Sequence, residues 1–228
     1  MLDLDARLVE AVLADWKSAP VTPRLRAGLA LVEAVTLRPA EPMDALVVDA
    51  RAAGLDDAAV EDAANVAFHF NLINRAADAF DFTRPTARQL PRLARLLDRM
   101  KFMRSGPRAS PSWTKAPDGA LRPVEVQAGY ARLLEAPCAS SPEHRRAAEA
   151  FCAHQRGARR DGAVPAELRH YLGKVATAAH KVVDEDVAAL RAAGWSDRAL
   201  FEVTMAGAFG ASVVGLETLF GALYAQGT

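Results

Sequence analysis

Asn71, Asn74, Arg75 and Asp78 are the residues of this chain whose types and spacing could do chemistry. They recur at i, i+3, i+4 and i+7, one face of a 3.6-residue period. On that face Arg75 could hold a carboxylate through paired N–H donors, and Asp78 could act as acid or base. Asn71 and Asn74 would line the same site. The four could equally form a satisfied internal network, with Asp78 as the nearest carboxylate for Arg75, that fixes how helices or subunits meet. Residue types alone leave both readings open.

The element that must position them is the stretch 56–82, DDAAVEDAANVAFHFNLINRAADAFDF, capped by Asp56 or Asp57 and too apolar for a surface helix. His69 falls on its opposite face, four residues after Asn65, and reads as a hydrogen-bonded core histidine. Helical signals recur along the chain, at Leu4–Lys17, Pro23–Thr36, Met43–Ala53, Arg88–Phe102, Val124–Leu134, Pro142–Arg156, Pro165–Val182, Asp184–Ala193 and Asp197–Ala225. Strand signals are nearly absent, which predicts an all-α fold. Ser105–Arg122 is the irregular segment, long enough to be a lid, a subunit contact or a linker; its Trp113 should pack on something.

Shifting the chain by 140 residues brings Arg51-Ala52-Ala53-Gly54 onto Arg191-Ala192-Ala193-Gly194, with Asp57 on Asp197 and Phe80 on Phe220. A shared helix stop followed by a shared cap predicts an internally duplicated helix–turn–long-helix unit. The division expected is 1–104 for the first unit, 105–140 for a loop and linking helix, and 141–228 for a degenerate second unit, packed together. In the second unit the polar stripe becomes Ala211, Val214, Gly215 and Thr218, so the fold unit does not require it. Gly207, Gly210 and Gly215 suggest close helix packing there.

Composition sets the surroundings. Hydrophobic residues are 51% and charged residues 25%, with 28 basic side chains cancelled by 28 acidic ones, so nothing favours nucleic acid or a membrane as partner. The basic runs Arg145–Arg146 and Arg156–Arg160 lack interleaved aromatics and read as solvated helix ends. Cys138 and Cys152 form no CxxC, and a reduced, cytoplasmic protein is expected. His170, Lys174 and Lys181 share a helix without clustered acids, a weak basis for a metal site.

The segment ARAAGLDDAAVEDAANVAFHFNLINRAADAF resembles the alkylhydroperoxidase D (AhpD) / carboxymuconolactone decarboxylase-like superfamily. The resemblance is clearest over about residues 32–82 and fainter over 172–225. It implies an all-helical, homo-oligomeric protein. Peroxidase members carry CxxCxxxH on this helix, fed by an upstream glutamate. That motif falls here on Asn71-Leu72-Ile73-Asn74 and Asp78, with Glu61 or Asp62 near the glutamate. Asparagine forms no thiolate, so dithiol chemistry at this site is excluded. Cys138 and Cys152 are poor substitutes, which makes an alkylhydroperoxidase-type antioxidant role the weakest alternative.

The decarboxylase branch also lacks the dithiol and handles a lactone bearing carboxylates, a substrate that Arg75 and Asp78 would suit. The expectation is therefore a protein without cofactor or metal that binds or acts on a small acidic or carbonyl-containing molecule. The opposing expectation is a non-catalytic oligomeric scaffold.

Overall fold

The computed structural model describes residues 5–83, 85–86, 88–99, 113–160 and 162–224, and among these the chain forms ten α-helices and one short hairpin. The helices are α1 (Ala6–Asp15), α2 (Pro23–Leu37), α3 (Asp44–Ala52), α4 (Asp57–Ala79), α5 (Leu90–Arg99), α6 (Val124–Glu135), α7 (Pro142–Gln155), α8 (Ala166–Thr177), α9 (Asp184–Ala192) and α10 (Asp197–Tyr224). Strands β1 (Trp113–Lys115) and β2 (Leu121–Pro123) pair antiparallel between α5 and α6. The all-α class is as the residue pattern predicts.

Local chemistry sets these bounds. Thr22 Oγ1 accepts from the Leu25 N–H at 3.2 Å, with Pro23 at the first helical position of α2. Asp56 caps α4 through the Ala59 N–H at 2.8 Å. Gly54 (φ +88°) ends α3 in the left-handed region, and Gly194 (φ +96°) ends α9 in the same way. The bond that closes each turn, Leu55 N–H to Ala50 O and Trp195 N–H to Leu190 O, measures 3.0 and 3.1 Å. Arg51 reaches over the first turn to Asp57 at 3.0 Å, and Arg191 over the second to Asp197 at 2.6 Å. The 140-residue offset also relates the ends of α2 and α8, at Leu37 and Thr177, and of α1 and α7, at Asp15 and Gln155.

Helix α10 fills the middle, against α7, α4, α8 and α2. Its glycines permit the approach. A Cβ on Gly210 would run into the Glu149 carbonyl of α7, and one on Gly215 into the Val35 carbonyl of α2. The N-terminal half of α10 joins an apolar cluster with α7, α8 and α9; its C-terminal half joins another with α2, α3 and α4. Leu216, Leu219 and Phe220 are wholly buried, and each such side chain contributes roughly 1.5–3 kcal/mol. Among the described residues α10 is the one helix long and apolar enough to cross a membrane, yet 89% of its apolar window is buried inside the protein, which fits a soluble core.

Three boundaries differ from the sequence reading. Helix α4 stops at Ala79 rather than Phe82, because Asp81 takes a left-handed conformation (φ +48°) and the Phe82 N–H turns back to Ala77 O at 2.8 Å. Helix α8 stops at Thr177, followed by a 3-10 turn at Ala179–Lys181. Most of Ser105–Arg122 is not irregular where it is described. Residues 113–123 form the hairpin, turned by Asp118-Gly119 with Gly119 at φ +84°, and Trp113 packs on Tyr224 at 4.7 Å. Residues 105–112, like the predicted helix ends at Leu4, Phe102 and Ala225, lie outside the described residues.

Candidate functional site at the ends of α2 and α8

Side chains on a helix lean toward its N-terminus. Arg75 accordingly runs back along α4, and its Nη1 donates to the Asn71 carbonyl at 3.1 Å. Its Nε donates to the Ala176 carbonyl, in the last turn of α8, at 3.4 Å. Asn71 is buried and donates through Nδ2 to Thr36 Oγ1 on α2, at 3.1 Å. The fold thus carries Asn71 and Arg75 inward to the junction of α2, α4, α7 and α8.

Asn74 and Asp78 stay outside it. Asn74 is exposed, Asp78 is half-buried, and neither side chain has a partner among the described residues. The anticipated Arg75–Asp78 pair does not form. An arginine placed N-terminal to its acid is the less favourable order on a helix, since the long side chain leads away from it.

What Arg75 meets instead is a second cation. Arg156, one residue past α7, donates through Nη2 to the Thr36 carbonyl in the last turn of α2, at 2.5 Å, and its buried Nε has no partner. Burial, and then the charge of Arg156, pull the Arg75 guanidinium down to about 10; burial lowers Arg156 also. Both remain cationic at neutral pH. No carboxylate pairs with either among the described residues. The partial negative charge of two helix C-termini offsets part of this positive charge. Arg75 Nη2 and Arg156 Nη1 and Nε are left as donors.

Cys152 lies beside this pair, fully buried, with Sγ donating to the Leu172 carbonyl at 3.4 Å. Burial, and then Glu149, push its thiol far above the ordinary range, so it supplies no thiolate. Cys138 is exposed, and both cysteines are free.

A second polar cluster was not anticipated. Arg122, 1% exposed on β2, holds Glu217 of α10 and Asp118 of the hairpin turn, each at 2.5 Å, and Gln127 at 2.8 Å, with Tyr130 4.4 Å beneath its guanidinium. Arg160 grips Glu217 through Oε2 at 2.5 Å and pairs with Glu149 of α7. Burial raises the Glu149 carboxyl against the pull of Arg160. Each acid has an arginine, so the cluster is a closed network that locks the hairpin to α7 and α10.

The basic runs are therefore not solvated helix ends. Arg156 and Arg160 are both half-buried, and Arg145 is fully buried, donating to the carbonyls of Ser140, Leu134 and Ala136. Only Arg146 and Arg159 of these runs stay exposed. His69 does bond to the Asn65 carbonyl, at 2.7 Å, but it is exposed and so no core residue. Glu61 is buried and accepts from Tyr224 Oη; ten residues before Asn71, it sits roughly 15 Å along α4 from the arginine pair. His170 and Lys174 both face Asp186, at 3.5 and 2.7 Å.

A groove of about 680 Å³ lies at the other end of α4, lined by Phe80, Asp81, Val183, Asp184, Glu185 and Phe201 among others. Phe80 and Phe201 stack there at 5.1 Å.

No family model matches the chain, and neither a curated protein nor a solved structure is significantly similar to it.

Proposed function

We propose that the chain is an AhpD / carboxymuconolactone decarboxylase-like protein without dithiol chemistry, which binds or acts on a small carboxylate- or carbonyl-bearing molecule at Arg75 and Arg156. One observation carries this reading: two partly buried guanidiniums face each other with no carboxylate between them and with N–H donors unused. Like charges in a low-dielectric setting are unfavourable unless an anion joins them, and a guanidinium's planar fork suits a carboxylate. Asn71 holds the floor through Thr36. Asp78, unpartnered one turn beyond Arg75, is the acid or base if the molecule is chemically changed, with Asn74 beside it. The matching helix bounds at an offset of 140 support reading the chain as a duplicated AhpD-like unit. The setting for this reading is a cytoplasmic homo-oligomer that needs no metal or cofactor.

A scaffold reading has its own observation. Each guanidinium already closes a helix C-terminus, at Ala176 and at Thr36, and this is a structural task.

A thermal-shift screen of small carboxylic acids and lactones separates the two, run on wild type, Arg75→Ala and Arg156→Ala. A site occupied at a hundredfold excess over Kd stabilises by about 2.7 kcal/mol, readily seen in Tm. The proposal expects at least one compound to shift wild type and neither variant. If nothing shifts wild type and Arg75→Ala unfolds much earlier or changes oligomer size, the arginines are structural.

A further inference from the structure

Two surfaces of this chain are left without partners, and they complement one another. The first is α5. Its Leu90, Leu93 and Leu96 are 51%, 37% and 52% exposed and share one face, while Arg92 and Arg95 occupy the opposite one. Residues 90–96 are exposed throughout, so no other part of the chain covers that leucine face. The second surface is the groove at the end of α4. Its floor is aromatic and aliphatic, with Phe201 and Val183 about half exposed, and Phe82 is 62% exposed nearby. Its rim is acidic: Asp81, Asp184, Glu185 and Asp197 against one arginine, Arg191, which is already bound to Asp197. Neither Asp184 nor Glu185 has an ion-pair partner among the described residues.

We infer that α5 of one copy docks its leucine face into the α4–α9–α10 groove of a second copy, with Arg92 and Arg95 meeting the acidic rim, in a two-fold dimer. Both halves of the contact lie on the same chain, so a two-fold axis satisfies each surface twice and the assembly closes. An amphipathic helix in an apolar groove is a recurrent mode of recognition, read from anchors at helical spacing. The ten residues between α4 and α5 can span up to ~35 Å, enough for the helix to cross to a neighbour. Opposed charges select this pairing over one between two α5 helices, whose arginines would repel.

The test is solution mass by size exclusion with light scattering, on the full chain. Wild type should run at twice the 24.4 kDa of one chain. Leu93→Asp with Leu96→Asp should give a monomer whose circular dichroism matches wild type, since both leucines are exposed in the single chain. Arg92→Glu with Arg95→Glu should weaken dimerisation at least tenfold, and adding Asp184→Arg with Glu185→Arg should restore it. A monomeric wild type overturns the inference, and so does a dimer that neither α5 pair disturbs. A monomeric wild type that sediments with phosphatidylserine vesicles, but not with phosphatidylcholine vesicles, overturns it in favour of a lipid surface for α5.

Discussion

Arg75 Nε and the Ala176 carbonyl oxygen stand 3.4 Å apart across 101 residues of sequence. Thr36, whose carbonyl receives Arg156, precedes Ala176 by the same 140 residues that separate α3 from α9. Corresponding helix ends in the two halves thus each hold one guanidinium, yet the guanidiniums do not correspond. Position 215, the counterpart of Arg75, is a glycine pressed on the Val35 carbonyl. One half brings backbone to backbone where the other inserts an arginine.

Arg75→Lys separates charge from geometry. Lysine keeps the cation but loses the fork that serves Asn71, Ala176 and a bound carboxylate together. Stability should fall by about 1 kcal/mol in urea denaturation. Any carboxylate found to bind wild type should bind the variant at least tenfold more weakly in titration calorimetry.

Glycines on α10 and α8 should respond in opposite directions. Gly210→Ala forces a methyl into the Glu149 backbone, which cannot yield as a side chain would, and should cost about 3 kcal/mol or prevent folding. Gly173 sits inside α8 with open space where a Cβ would go. Gly173→Ala should stabilise by about 0.5–1 kcal/mol. Paired urea melts check both.

Arg122 joins two acids, a glutamine and an aromatic face from four elements. Arg122→Met leaves Glu217 to Arg160 alone and releases the hairpin, and should cost about 3–5 kcal/mol. Arg122→Lys should recover only part of this, because an ammonium can neither fork nor stack. Trp113 fluorescence should report the hairpin's release, since Trp113 packs on Tyr224 in the folded chain.

Acid should act through Glu202. Burial alone would raise its carboxyl, but the Ser140 hydroxyl, the Ser140 and Ala139 N–H groups and Arg145 outweigh that and hold it near about 2. An unfolded glutamate titrates near ~4.3. The folded value is the lower one, so this contribution is present above about pH 4.3 and is lost as pH falls toward 2. Urea midpoints measured from pH 6 to pH 2 should fall more steeply for wild type than for Glu202→Gln. The variant should also be weaker by about 2 kcal/mol at neutral pH.

What could be read from residues was local. Thr22 before Pro23, Asp56 before α4 and the two RAAG stops each fix a turn by neighbours within six positions, and the helices fall where those signals place them. The hairpin had a signal too, Asp118-Gly119, hidden by the prolines around it. The polar clusters had none. Arg122, Glu149, Arg160 and Glu217 come from four separate segments, and nothing in RGARR says that its last arginine turns inward. Arg75 was legible as an arginine on an apolar helix. Its partner was not, because Arg156 arrives from another helix and carries the same charge.

Helix α10 gives its first half to one apolar cluster and its second half to the other. Residues 44–79 therefore lack a core of their own until the last segment of the chain is in place. Unfolding should be a single transition, and neither half should stand as a module that can be cut out or exchanged. A chain elongating from its N-terminus must keep α4's apolar face waiting until α10 has been made, so the final structure closes late and all at once.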